Sequence, residues 1–210
     1  MNIIANSIFT GTMGGLILHA LHAMLSQNAV FGRGLGSSRL TLLVNDEDGD
    51  AGIFCVLLLV VQVLSGVLSW FAFRWVLPLF GDNRLHFRPL VLVLCVCVVF
   101  FGLFLVVVQL FPTESAKRVV RQLPIAAFNC SVLGTLLLVG NHGHGLAETV
   151  AFSAGSALGY MAALLLMIEG NRKLKKADLP DGFRGLPATL VYLGILSLLI
   201  YAFTGHGLSV

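Results

Sequence analysis

"LPIAAFNCSVLGTLLLVG" (residues 123–140) is apolar along almost its whole length, yet sets Asn129, Cys130 and Ser131 side by side in its middle. The flanks read as a membrane-crossing helix. An amide in hydrocarbon costs several kcal/mol unless it is hydrogen-bonded, so Asn129 must face protein, a cavity or unwound backbone. A polar insertion followed by Gly134 predicts a helix broken near the middle of the bilayer.

The rest of the chain fits that setting. Of its 210 residues 57% are hydrophobic and 11% charged, against about 25% charged in soluble proteins, and the mean hydropathy is +0.93. Apolar runs bounded by polar or Gly/Pro clusters fall at about 3–26, 52–73, 89–111, 119–140, 147–169 and 187–204. Each is close to the ~20 residues a helix needs to cross ~30 Å of hydrocarbon. The expected fold is an all-α membrane protein of six transmembrane helices, one transmembrane domain over residues 1–210, with no room for a soluble domain. The first cation is Arg33, so the N-terminus lacks the basic start of a secretory signal and the first apolar segment is expected to stay.

The net charge of +3 follows from loops and does not indicate nucleic acid. Arg33, Arg39, Lys117, Arg118, Arg121, Arg172, Lys173, Lys175, Lys176 and Arg184 fall beside the segments 27–51, 112–118 and 170–186, whereas Arg74, Arg84 and Arg88 fall beside 74–88. The positive-inside rule then puts the first set in the cytoplasm and both termini outside it. The acidic run "NDEDGD" (45–50) contributes little to that rule.

Three spans followed by three more require any related halves to be inverted repeats, about 1–112 and 117–206. "QNAVFGRGLG" (27–36) and "FNCSVLG" (128–134) echo each other, an Asn followed by Gly-rich sequence. Paired interruptions of this kind point to a site between inverted halves. Asn28, Gly36, Asn129 and Gly134 are therefore the expected midplane breaks in helices 1 and 4.

Other polar residues have plainer readings. Cys55, Cys95, Cys97 and Cys130 all lie in apolar segments, which does not suit a secreted disulfide framework. Cys95 and Cys97 point to nearly opposite sides of a helix and read, like Cys55, as packing residues. His19 and His22 share a helix face and read as a polar contact between spans; His142 and His144 read as a solvated turn. Glu148 and Glu169 stand at opposite ends of the fifth span, and Gln62 and Gln109 lie deeper and need partners.

A resemblance adds to this reading. "LPIAAFNCSVLG", the stretch from Phe152 onward, the connector "ADLPDGFRG" (177–185) and the ending "YAFTG" (201–205) resemble the Rnf/Nqr family, on the side of the A-type component of the Rnf electron-transport complex and the E-type component of the Na+-translocating NADH:quinone reductase. The resemblance implies six spans in two inverted halves with helices 1 and 4 broken. It also implies a paralogous six-helix partner, further Rnf/Nqr-type subunits, and a [2Fe–2S] cluster shared with that partner through Cys thiolates from the broken helices, with Cys130 as a metal ligand. It implies electron transfer linked to movement of Na+ or H+ in the bacterial cytoplasmic (inner) membrane, by a translocase component that is not a complete enzyme. No NADH or flavin site is expected, as no Gly-rich phosphate loop stands between a strand and a helix.

The chain departs from the family at one place. The first-half pattern "N-N-x-V-L-x-[KR]-x-L-G-[LI]-C-P" ends in Cys-Pro; here Ser38 and Arg39 stand there. A serine alkoxide is far more basic than a thiolate and a poor iron ligand. The alternative to a redox role is a cluster-free paralogue, acting as a small ion or solute transporter or as a structural assembly subunit.

Overall fold

The computed structural model describes residues 13–44, 50–78, 84–110, 114–142, 145–176 and 180–204. The chain ends, on which the expected placement of the termini rests, and His144 lie outside the described residues, as do residues 45–49 of the acidic run. Among the described residues there are helices and no strand: α1 (Met13–Leu25), α2 (Ser37–Val44), α3 (Asp50–Trp75), α4 (Arg84–Leu110), α5 (Glu114–Ala127), α6 (Cys130–His142), α7 (Leu146–Leu174), a 3₁₀ turn at Asp181–Phe183, and α8 (Leu186–Thr204).

Among the described residues four stretches are long and apolar enough to cross a membrane: Ala51–Trp75, His86–Gln109, Leu146–Lys176 and Leu186–Thr204. A fifth forms if Lys117–Ala127 and Cys130–Gly140, bent by 47° at their junction, count as one span. The expected break in the fourth span is thus present at Phe128 and Asn129. Pro124 lies inside α5, one turn before the bend, where it removes a backbone donor and loosens the helix.

The first span differs from expectation. Its helix ends at Leu25, turns occupy residues 26–36, and helix resumes at Ser37. Residues beyond 26 do not form a wholly solvent-exposed loop, because Asn28, Val30, Phe31, Leu40, Thr41, Leu43 and Val44 are all buried. Arg39, assigned by sequence to that loop, sits in the first turn of α2.

The molecule is apolar outside, and its largely apolar core also encloses a set of polar side chains. Val98, Phe101 and Leu105 on α4 and Leu198 and Phe203 on α8 are exposed, whereas Gln62, Ser65, Ser69, Ser131, Thr135, Thr149 and Ser153 are fully buried. With lipid as solvent no hydrophobic drive joins the helices, so close backbone approach and interhelical hydrogen bonds hold them. The centre is α7, against which α1, α2, α3, α6 and α8 pack. Its glycines permit the approach: a Cβ on Gly155 would overlap the backbone of Ala20, and one on Gly159 would sit 2.9 Å from the carbonyl oxygen of Met24.

Candidate functional site: the junction of two helix breaks

Helix α1 ends with orphan carbonyls, as every helix does, and Asn28 answers one of them. Its Nδ2 donates to the Met24 carbonyl (2.9 Å) and, across the interface, to the Gly159 carbonyl (3.2 Å). Its Oδ1 accepts from the backbone N–H groups of Val30 (2.9 Å) and Phe31 (3.1 Å). Both donors and both acceptor sites of the amide are used, which is why an Asn stands here 3% exposed. Two left-handed glycines, Gly34 (φ 66°) and Gly36 (φ 75°), then turn the chain into α2; such φ values suit glycine alone.

The second break repeats the device. Asn129 Oδ1 accepts from the Ser131 N–H (2.9 Å), the same offset of two residues as at Asn28, and its carbonyl accepts from the Val132 N–H (3.0 Å) at the start of α6. Its Nδ2 donates to the Tyr160 hydroxyl (3.4 Å), which donates in turn to the Gly36 carbonyl (3.2 Å). A chain of hydrogen bonds therefore runs from the second break through Tyr160 to the first. Tyr160 is fully buried, with Phe54 against its ring at 6.0 Å, and lies midway along α7.

The glycines predicted to mark the breaks are where the two breaks touch. A Cβ on Gly36 would lie 2.7 Å from Asn129 Oδ1 and 2.8 Å from Tyr160 Cε2, and one on Gly134 would overlap Leu35. Asn28, Gly36, Asn129 and Gly134 thus gather around α7. Residues that sequence reasoning does not link to the breaks continue the network toward α3: Gln62 Nε2 donates to Thr135 Oγ1 (2.7 Å), which shares a hydrogen bond with Ser156 Oγ (2.8 Å) and also donates to the Ser131 carbonyl (2.8 Å). Thr135 is thus the partner that the depth of Gln62 demands. Tyr160 and Ser156 carry a weaker sequence signal, lying at helical spacing with Thr149 and Ser153 on one face of α7. Gln109 instead ends α4 exposed.

Cys130 and Ser38 begin α6 and follow the first break, and both side chains are exposed. Cys130, the buried Cys55 and the half-buried Arg39 all lie within electrostatic range of Tyr160. Cys55 and Cys95 are buried and all four cysteines are free. Among the described residues no three His, Cys, Asp or Glu side chains are grouped to hold a metal ion. His19 bonds the Gly15 carbonyl (2.9 Å) and His22 is exposed. An all-cysteine [2Fe–2S] cluster shared evenly between two subunits would take two thiolates from these breaks. This chain presents one surface thiol and one surface hydroxyl, a donor set that does not fit such a cluster.

The family model described as "Rnf-Nqr subunit, membrane protein" matches residues 16–209. Similar relatives carry the name of the A component of an ion-translocating oxidoreductase complex: that of Shewanella pealeana is 32% identical over 145 residues, 69% of this chain and 74% of the relative. The Pseudoalteromonas atlantica protein is also 32% identical, with the same coverage, and the Pectobacterium atrosepticum protein is 30% identical over the same length. The family match takes in both helix breaks and the network between them: the chain belongs to the Rnf-Nqr family of membrane-protein subunits.

Proposed function

We propose that this chain is an integral membrane subunit of an ion-translocating oxidoreductase complex of the Rnf/Nqr type, contributing to transmembrane electron transfer coupled to Na+ or H+ movement. In this reading it crosses the bacterial cytoplasmic membrane six times, as inverted halves of about 1–112 and 117–206 with both termini extracytoplasmic. Its partners are a paralogous six-helix subunit together with the remaining members of the complex.

The observation that carries this reading is the junction itself. Two interrupted helices are closed by asparagines with the same Oδ1-to-backbone offset and tied together through one tyrosine. Paired discontinuous helices at a repeat interface are the architecture in which coupling ions are handled near the midplane. The names of the relatives supply the oxidoreductase complex as the setting.

Ser38 favours a second reading beside the first: a subunit that keeps the family's scaffold and ion path without its share of a [2Fe–2S] cluster. Affinity purification of the tagged chain from its native membrane tests both. Recovery of the other complex subunits, with ion uptake into inverted vesicles that is lost on deleting the gene, is the result expected of a translocase component. Iron and visible absorption that vanish with Cys130→Ala favour ligation. Iron-free complex that still moves the ion favours the cluster-free reading, and a chain purified alone from membranes that retain full uptake without it contradicts the complex.

A further inference from the structure

Arg39 occupies an unusual place. Gly36, three residues before it, accepts the Tyr160 hydroxyl and packs on Asn129. Tyr160 lies midway along Leu146–Lys176, and Asn129 lies between the halves of the bent span. Two independently crossing elements therefore place Gly36 near mid-depth, and Arg39, less than one turn further on, within about 5 Å of it along the helix. A guanidinium cannot shed its charge, and a cation at that depth is expensive unless it is paired.

Among the described residues no group is seen to pair it. Arg39 Nε is buried without a hydrogen-bond partner, and no carboxylate among the described residues forms an ion pair with it. The ionisable groups that act on Tyr160 are Cys55, Arg39 and Cys130, none of them a carboxylate. On the long helix α7, Glu148 and Glu169 lie roughly 18 Å and 13 Å from Tyr160 along the axis. Lipid phosphates lie at the membrane surfaces, out of reach of mid-depth. Ser38 and Cys130, polar groups exposed on the same junction, also face away from this chain's core.

We infer that Arg39 is paired, in the assembled protein, with a carboxylate from a membrane helix of a neighbouring subunit, which packs over the face carrying Ser38, Arg39 and Cys130. The inference rests on the complex-subunit reading above. A carboxylate is the group whose two oxygens match the guanidinium fork and whose charge cancels it. Arg39 is then a specificity device as well: a helix without an acid at that depth leaves the cation unpaired and is rejected.

The test compares tagged wild type with Arg39→Met and Arg39→Lys, each expressed with the whole complex and purified from the membrane. Arg39→Met is expected to lower recovery of the neighbouring subunit by about ten-fold or more, as for loss of a buried charge pair, while raising the unfolding midpoint of the chain on its own in detergent. A merely structural role moves both readouts the same way. Arg39→Lys keeps the charge and loses the fork, so its recovery is expected to fall between those of Arg39→Met and wild type, and with a membrane-permeant carbodiimide it is expected to form an amide with one Asp or Glu in a membrane helix of that neighbour, identified by mass spectrometry. Unchanged recovery of Arg39→Met overturns the inference. So does loss of recovery with no such cross-link, and so does the same loss from Cys130→Ala, which assigns the counter-charge to this chain's own thiolate. A wild-type chain that recovers no other membrane component overturns the complex reading and the inference together, and is seen before any variant is compared.

Discussion

Replacing Tyr160 by Phe keeps the ring packed against Phe54 and removes one oxygen atom. That oxygen accepts from Asn129 at 3.4 Å and donates to the Gly36 carbonyl at 3.2 Å, so Tyr160→Phe leaves an amide N–H and a backbone carbonyl unpaired in a fully buried place. Hydrogen bonds between membrane helices are worth about 0.6 kcal/mol each on average, which sets a floor near 1 kcal/mol for two. Leaving a buried polar group unsatisfied costs about 1–3 kcal/mol, which sets a ceiling several-fold higher. The 3.4 Å bond is long and the weaker of the two, so the expected loss is about 2 kcal/mol. Equilibrium unfolding of the full chain in mixed detergent micelles measures it, and a double-mutant cycle with Asn129→Leu isolates the link between the breaks. The two substitutions delete one shared bond, so their effects should fall short of additive by about 0.5–1 kcal/mol. Tyr160→Phe within about 0.3 kcal/mol of wild type, with strict additivity in the cycle, refutes the claim that Tyr160 ties the breaks together.

Further predictions follow from the same geometry. Asn28→Leu should destabilise the chain by about 3–5 kcal/mol, more than Asn129→Leu in the same assay, because Asn28 makes four side-chain hydrogen bonds and Asn129 two; the reverse order would show that the two caps are not the groups that close the breaks. Gly36→Ala meets both a left-handed φ and atoms at 2.7 and 2.8 Å, whereas Gly34→Ala meets only the φ, with nothing within 4 Å. The expected costs are above about 3 kcal/mol for the first and about 1–2 kcal/mol for the second, and equal costs would contradict the packing of Gly36 on Asn129. Cys130→Ala should change the stability of the isolated chain by less than about 0.5 kcal/mol, since the thiol is exposed, while Cys55→Ala, at a buried position, should cost more.

How much of this is legible in the sequence varies by residue. The second break is readable because Asn129, Cys130 and Ser131 stand out against an apolar run, and a polar triplet in hydrocarbon has few explanations. Gly36 and Gly134 are readable as breakers, but that each makes room for the opposite break is not: which atoms meet across a helix interface depends on three-dimensional approach, and no local pattern reports it. The first break is legible at Asn28 and Gly36, but the packing of the residues around it is not. "SQNAVFGRGLGSS" (26–38) carries the polar and glycine content of a surface loop, and only the burial of Val30, Phe31, Leu40 and Leu43 shows that the chain remains in the core. Arg39 follows it, counted among loop cations by the positive-inside rule although it lies within electrostatic range of Tyr160. Tyr160 itself is only faintly signalled, because an aromatic on a small-residue helix reads as packing until its hydroxyl is seen to join the Asn129 side chain to the Gly36 carbonyl.

The central claim is that the two breaks meet, and cross-linking across their contact tests it most directly. Leu35 packs onto Gly134, so a chain carrying Leu35→Cys and Gly134→Cys, with its four native cysteines replaced, should close an intramolecular disulfide in native membranes on mild oxidation and migrate faster on denaturing gels, reversibly with reductant. A stably inserted double variant that stays uncross-linked, while Leu35→Cys paired with a cysteine elsewhere on α6 closes readily, would contradict it.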